Sequence, residues 1–213
     1  MHQKGRLNML GDLSKRYESN GDAGCISTGY GDAGGKSYGM YQLASNAGSV
    51  DSYVRWLRAN DWWFGDLLAE HEVGSWQFDN TWKDLANSAN REDFARSQHE
   101  YIKYAYYDPA IKALKRAMYD VEANHHEVMQ DVVWSRAVQY GVGNIVEMFE
   151  DAVKAIGYPN LSYVDAAFYD EAMIKAIYLD VCSTPEWTNG SPALRAGLYS
   201  RFRNECKDAI AKL

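Results

Sequence analysis

Two carboxylates stand out for what they could do together. Glu18 follows Leu7, Leu10, Leu13 and Tyr17, whose spacing predicts a short amphipathic helix ending near Ser19 and Asn20. Asp32 lies fourteen residues further on, in a stretch that holds seven glycines from Gly21 to Gly39. A glutamate at a helix C-terminus faces the negative end of the macrodipole, and an apolar neighbour such as Tyr17 desolvates it. Both effects favour the protonated form that a general acid needs. An aspartate among glycines can approach a ligand closely, because the backbone around it carries no side chains. Hydrolysis of a glycosidic bond requires such a pair, one acid to protonate the leaving oxygen and one carboxylate to activate water or attack the anomeric carbon. By residue type alone the two are also a solvated carboxylate and a turn former, so the surrounding elements must decide.

The glycine density from Gly21 to Tyr41 is too high for a helix and predicts a β-hairpin or loop, with short strands at Cys25 to Thr28 and Lys36 to Tyr41. On the second strand Tyr38 and Gln42 share a face and are candidate substrate contacts, with core packing as the other reading for Tyr38, while Tyr41 points the opposite way. Beyond the hairpin, apolar residues recur at helical period. Val50, Tyr53, Val54 and Leu57 form one stripe; Phe94, Gln98, Tyr101 and Ile102 form another behind an Asn90 cap. Asp108 and Pro109 restart a helix, and Glu127 to Tyr140 is apolar on most faces, as a central buried helix should be. Ile145 to Ile156 stops at Gly157 and Pro159; Ser162 and Asp165 cap a helix through Val164, Phe168 and Ile174; Ser191 and Pro192 open the last. The class is mainly α, two helical lobes around a cleft with one small Gly-rich β-hairpin near the N-terminus, and residues 1–213 form a single domain.

The ordered segment YESNGDAGCISTGYGDAGGKSYGMYQLAS, Tyr17 to Ser45, resembles a family of peptidoglycan muramidases found in phage endolysins and as effector domains on type VI secretion spikes. Looser similarity continues through WQFDNTWKDLA (Trp76 to Ala86), AVQYGVGN (Ala137 to Asn144) and GLYSRFRNE (Gly197 to Glu205). The resemblance implies a lysozyme-like α+β fold related to chitosanases, with Glu18 and Asp32 at the catalytic positions. It would aim Gln139 and Tyr140, at the end of the buried helix, into the cleft as further substrate contacts. It implies cleavage of the β-1,4 bond between MurNAc and GlcNAc by inversion, with no cofactor. Met1 to Asn8 is polar with no apolar signal core, so the expectation is a monomer made in the host cytoplasm without a signal peptide and acting on the cell wall. A second likeness competes: Glu18-Ser19 followed by Gly39-Met40-Tyr41-Gln42 is similar to the Glu-Ser and Gly-Leu-Met-Gln pair of lytic transglycosylases, which use one glutamate and no aspartate. A chitosanase and a non-catalytic glycan-binding tail domain are the remaining alternatives.

Composition narrows the field. Against 22 Lys and Arg stand 29 Asp and Glu, a net charge of -7 that argues against binding nucleic acid through its phosphates. No stretch approaches the length and apolarity of a membrane span. Sixteen Tyr, seven Trp and six Phe exceed what a core of this size needs, so some should line a surface. Cys25, Cys182 and Cys206 are an odd set without a CxxC pair and read as free thiols, with a Cys182 to Cys206 bridge as the alternative. The His125-His126-Glu127 run reads as a solvated helix N-terminus and not a metal site, because adjacent helical side chains diverge by about 100°.

Overall fold

A computed structural model describes residues 10–11, 17, 19, 21–28, 35–180 and 192–213. The chain divides into two compact units, residues 18–104 and residues 1–17 with 105–213.

The first unit holds a three-stranded antiparallel meander, β1 (Ile26–Ser27), β2 (Ser37–Tyr38) and β3 (Leu43–Ala44). Tyr38 pairs with Ile26 on one side and Leu43 on the other. The strands are shorter than the expected hairpin, and the third arises because the chain turns at Gly39. There φ is 76°, and an added Cβ would meet Gln98 Oε1 at 2.3 Å, so only glycine fits. Four helices follow: α1 (Ser49–Ala59), α2 (Phe64–Ala69), α3 (Trp76–Asn87) and α4 (Arg91–Ile102). The predicted stripe Val50, Tyr53, Val54 and Leu57 is the buried face of α1. Ser75 caps α3 by accepting from Phe78 N at 3.1 Å. Asn90 occupies the cap position of α4, but its side chain makes no capping bond.

Much of the aromatic content goes into this unit's core. Tyr38, Tyr53, Phe64, Phe78, Trp82 and Phe94 are fully buried. Their rings meet edge to face, Tyr38 to Trp82 at 5.2 Å and Trp82 to Phe94 at 4.9 Å, the geometry that ring quadrupoles favour. Gln98 ties sheet to helix from within this core. Its amide donates to Ala23 O at 3.0 Å, and its carbonyl accepts from Met40 N at 2.9 Å. Other aromatics do reach the surface, Trp76 at 74% and Phe168 at 89% exposure being the extremes.

The boundary between the units falls in a π-helical turn, Lys103–Tyr107, that joins α4 to α5 (Asp108–Arg116), with Pro109 in the first turn of α5. The second unit continues through α6 (Val121–Asn124), α7 (Glu127–Tyr140), α8 (Ile145–Ala155), α9 (Asp170–Asp180) and α10 (Pro192–Ile210). All ten positions of α7 from Val128 to Ala137 are buried except Gln130, as expected of a central helix. The helix expected from Ser162 begins only at Asp170, after two 3-10 turns, so Phe168 points outward and Asn160 does the capping, accepting from Ser162 N at 3.1 Å. Cys25 and Cys206 are free thiols, which sets aside the alternative bridge to Cys206; Cys182 lies outside the described residues.

His125 corrects the expectation of a solvated helix end. Its ring is fully buried, stacked on Tyr119 at 4.1 Å, with Nδ1 2.5 Å from Asp170 Oδ1 and Nε2 3.1 Å from Asp165 Oδ1. Asp170 also accepts from His126 N at 2.8 Å, and Asp165 from Asp120 N at 2.7 Å. Burial alone would raise the Asp170 carboxyl, but the bonds from His125 and His126 outweigh it and hold it below the ordinary carboxylate range. A depressed carboxyl stabilises the fold above its unfolded pKa, and that contribution is lost as pH falls through the folded value. Asp170→Asn should therefore cost about 2 to 3 kcal/mol near neutral pH and flatten the acid limb of the stability curve. Thermal melts of both proteins from neutral to strongly acidic pH check this; parallel curves would remove Asp170 as the source of the acid limb.

Candidate active site

Glu18 and Asp32 both lie outside the described residues, but the residues that bracket them do not. Tyr17 OH donates to Asp208 Oδ2 at 2.7 Å in one unit, and Ser19 Oγ donates to Met40 O at 2.9 Å in the other. Thr28 and Gly35, the described residues flanking the Asp32 segment, both line an open, polar depression of about 620 Å³ within the first unit. Gly35 has φ 72°, and a Cβ there would meet Asn46 Oδ1 and Ser45 Oγ at 2.6 Å, so the chain leaves the Gly-rich segment by a path that requires glycine.

The wall of this depression carries charge of both signs. Asp51, in the first turn of α1, and Glu72, before α3, contribute carboxylates. Lys36 contributes an ammonium that donates to Gly74 O at 2.7 Å and to Asp79 Oδ2 at 2.6 Å. The other oxygen of Asp79 accepts from Tyr38 OH at 2.5 Å. Burial foremost, and then the Asp79 carboxylate, push the Tyr38 phenol well above its usual range, so it stays a neutral donor.

Of the two readings of Tyr38, its burial supports core packing. Its ring is enclosed by Phe78 and Trp82 and offers no face to a sugar; its hydroxyl holds Asp79. Tyr38 and Gln42 do not share a strand face either. Gln42 sits beyond the Gly39 turn at φ 50°, half-buried, with its amide donating back to Gly39 O at 3.0 Å. In the second unit Gln139 and Tyr140 are half-buried at the end of α7, which Gly141 closes at φ 81°. Gln139 Oε1 is buried without a hydrogen-bond partner among the described residues. Sequence reasoning did not find Lys36 or Asp79. They are 43 residues apart, and no local pattern marks their pairing.

The family model described as type VI secretion system spike protein VgrG3-like, C-terminal, matches residues 10–206. The type VI secretion system spike protein VgrG3 of Vibrio cholerae serotype O1 is 39% identical over 133 residues, 62% of this chain and 12% of that protein. The chain therefore matches only a small part of that relative's length. Among solved structures, the native chitosanase from Bacillus subtilis MY002 superposes with a TM-score of 0.58 at 16% identity, covering 96% of this chain and 84% of that one. A chitosanase complex superposes with a TM-score of 0.56 at 20% identity, covering 84% and 80%. These likenesses establish the mainly helical fold with its small antiparallel sheet as a chitosanase-like one.

Proposed function

Because the chain belongs to the family of VgrG3-like C-terminal domains of type VI secretion spike proteins, we propose that it is a cell-wall glycoside hydrolase. In this reading it cleaves the β-1,4 bond between MurNAc and GlcNAc in peptidoglycan. Glu18 protonates the glycosidic oxygen as the bond to the anomeric carbon breaks. Asp32 removes a proton from the water that attacks the opposite face, so that a β-linked substrate gives an α product. The observation that carries the reading is the polar depression bounded by Thr28 and Gly35, on either side of the segment that bears Asp32. No helix among the described residues is long and apolar enough to cross a membrane, in keeping with an effector carried to the wall on a spike.

Mass spectrometry of digested peptidoglycan tests the reaction. New reducing ends are expected; anhydro ends would transfer the activity to the lytic transglycosylase class, where Glu18 acts alone and Asp32→Asn keeps most turnover. NMR of the first-formed anomer tests the stereochemistry. An initial β product, or a glycosyl adduct on Asp32, would make Asp32 a nucleophile and the enzyme retaining. One observation favours a second reading, a chitosanase: two carboxylates, Asp51 and Glu72, face the depression and would attract a cationic glycan. Faster release of reducing ends from chitosan than from peptidoglycan would select it.

A further inference from the structure

Lys36 has more donors than the described residues use. An ammonium carries three N–H groups. Two are directed to Gly74 O and Asp79 Oδ2, while the side chain remains 32% exposed on the wall of the depression. No third acceptor engages it among the described residues. The ammonium is also held in place. Asp79 is fixed from its other oxygen by Tyr38 OH, and Tyr38 is locked in the aromatic core. Gly74 O, the remaining acceptor, belongs to the loop that ends at the Ser75 cap of α3. A cation held so firmly would donate a third N–H to a ligand in the depression at little further entropic cost.

The chemistry of amino sugars says what that N–H would meet. An N-acylated residue offers an amide carbonyl oxygen at C2, a good acceptor. A free glucosamine residue offers an ammonium there, which cannot accept and which Lys36 repels. We propose that Lys36 is a substrate-binding residue that selects acylated over free amino sugars by donating its third N–H to the amide carbonyl, with Asp79 and Tyr38 as positioning residues. The proposal rests on the glycan-hydrolase reading above. Asp51 and Glu72 on the same wall favour a cationic sugar, so the preference of the wild type is a balance of opposing charges. Removing Lys36 tips it.

The test measures binding of the N-acetylglucosamine hexamer and of the glucosamine hexamer by calorimetry, with the full chain in mildly acidic buffer where free glucosamine is protonated. Lys36→Met should weaken the acetylated hexamer about tenfold, the worth of one charge-assisted hydrogen bond, and leave the glucosamine hexamer equal or tighter. Lys36→Arg, which keeps donors at the same place, should restore most of the preference. Should Lys36→Met fail to fold, wild-type protein suffices. The acetylated hexamer should protect Lys36 from acetic anhydride, read by peptide mass spectrometry, and the glucosamine hexamer should not. Equal loss for both hexamers, no loss for either, absence of protection, or a wild type that binds no acetylated hexamer overturns the proposal. The parent reading fails separately, if peptidoglycan yields no new ends while the hexamer contrast is present.

Discussion

Glu18→Gln should lower turnover of peptidoglycan by about a thousandfold while leaving the melting temperature within a few degrees of wild type. Glutamine keeps the shape and polarity of the side chain but has no proton to give to a leaving oxygen. The flanking residues have anchors of their own, Tyr17 on Asp208 and Ser19 on the Met40 carbonyl. Loss of activity with retained stability is thus the signature of a general acid. Near wild-type turnover would remove Glu18 from the mechanism, and a matching fall in melting temperature would make its role structural. Asp32→Asn sharpens the test, since an inverting enzyme needs that carboxylate to activate water and a transglycosylase does not.

The contrast between these variants depends on positions that sequence order and resemblance single out, whereas their surroundings emerge only in three dimensions. Helical periodicity reads α1, α7 and α8 well, because each buries a stripe or a whole surface and the apolar spacing reports burial directly. It fails where burial and polarity part company. His125 is polar by type yet fully enclosed, since Asp165 and Asp170 arrive from forty and forty-five residues away to meet both ring nitrogens. Phe168 is apolar by type yet exposed, since 3-10 turns interrupt the helix expected there. The sheet shows the same limit. Two-residue strands carry no usable alternation, and the turn that creates β3 follows from one glycine pressed against Gln98. At the candidate site, Asp32 is marked by its glycines, while Lys36, Asp79 and the buried role of Tyr38 are set by contacts of Lys36 and β2 with α3 that no local spacing encodes.

The largest stability effect is expected at another such long-range contact, between Arg136 on α7 and Glu205 on α10, both fully buried. Glu205 accepts from Arg136 Nη2, from Ser135 Oγ at 3.1 Å, from Tyr178 OH at 3.2 Å and from Arg201 Nε at 2.8 Å. Burial foremost raises the Tyr178 phenol well above its ordinary value, so it remains a neutral donor to this carboxylate. The guanidinium lies 4.7 Å from the Tyr178 ring centroid and 5.1 Å from that of Phe202, so cation-π attraction replaces part of its lost hydration. Arg136 Nε and Nη1 nonetheless remain buried without hydrogen-bond partners among the described residues. Such a pair costs much to desolvate and more to break. Arg136→Ala strips Glu205 of its most buried counter-charge and opens a cavity, and should destabilise by about 3 to 5 kcal/mol. In a chain of this length that is a fall of about 10 °C in melting temperature. Replacing both partners with apolar residues of similar volume, Arg136→Met with Glu205→Leu, should recover much of the loss, because neither charge is then left buried alone. Urea melts of the two single variants and the double variant decide the matter. An additive double variant would show that the two residues do not act as a pair, and an alanine variant within 1 kcal/mol of wild type, against a median of about 0 to 1 kcal/mol for surface pairs, would show that the buried charge is not structural.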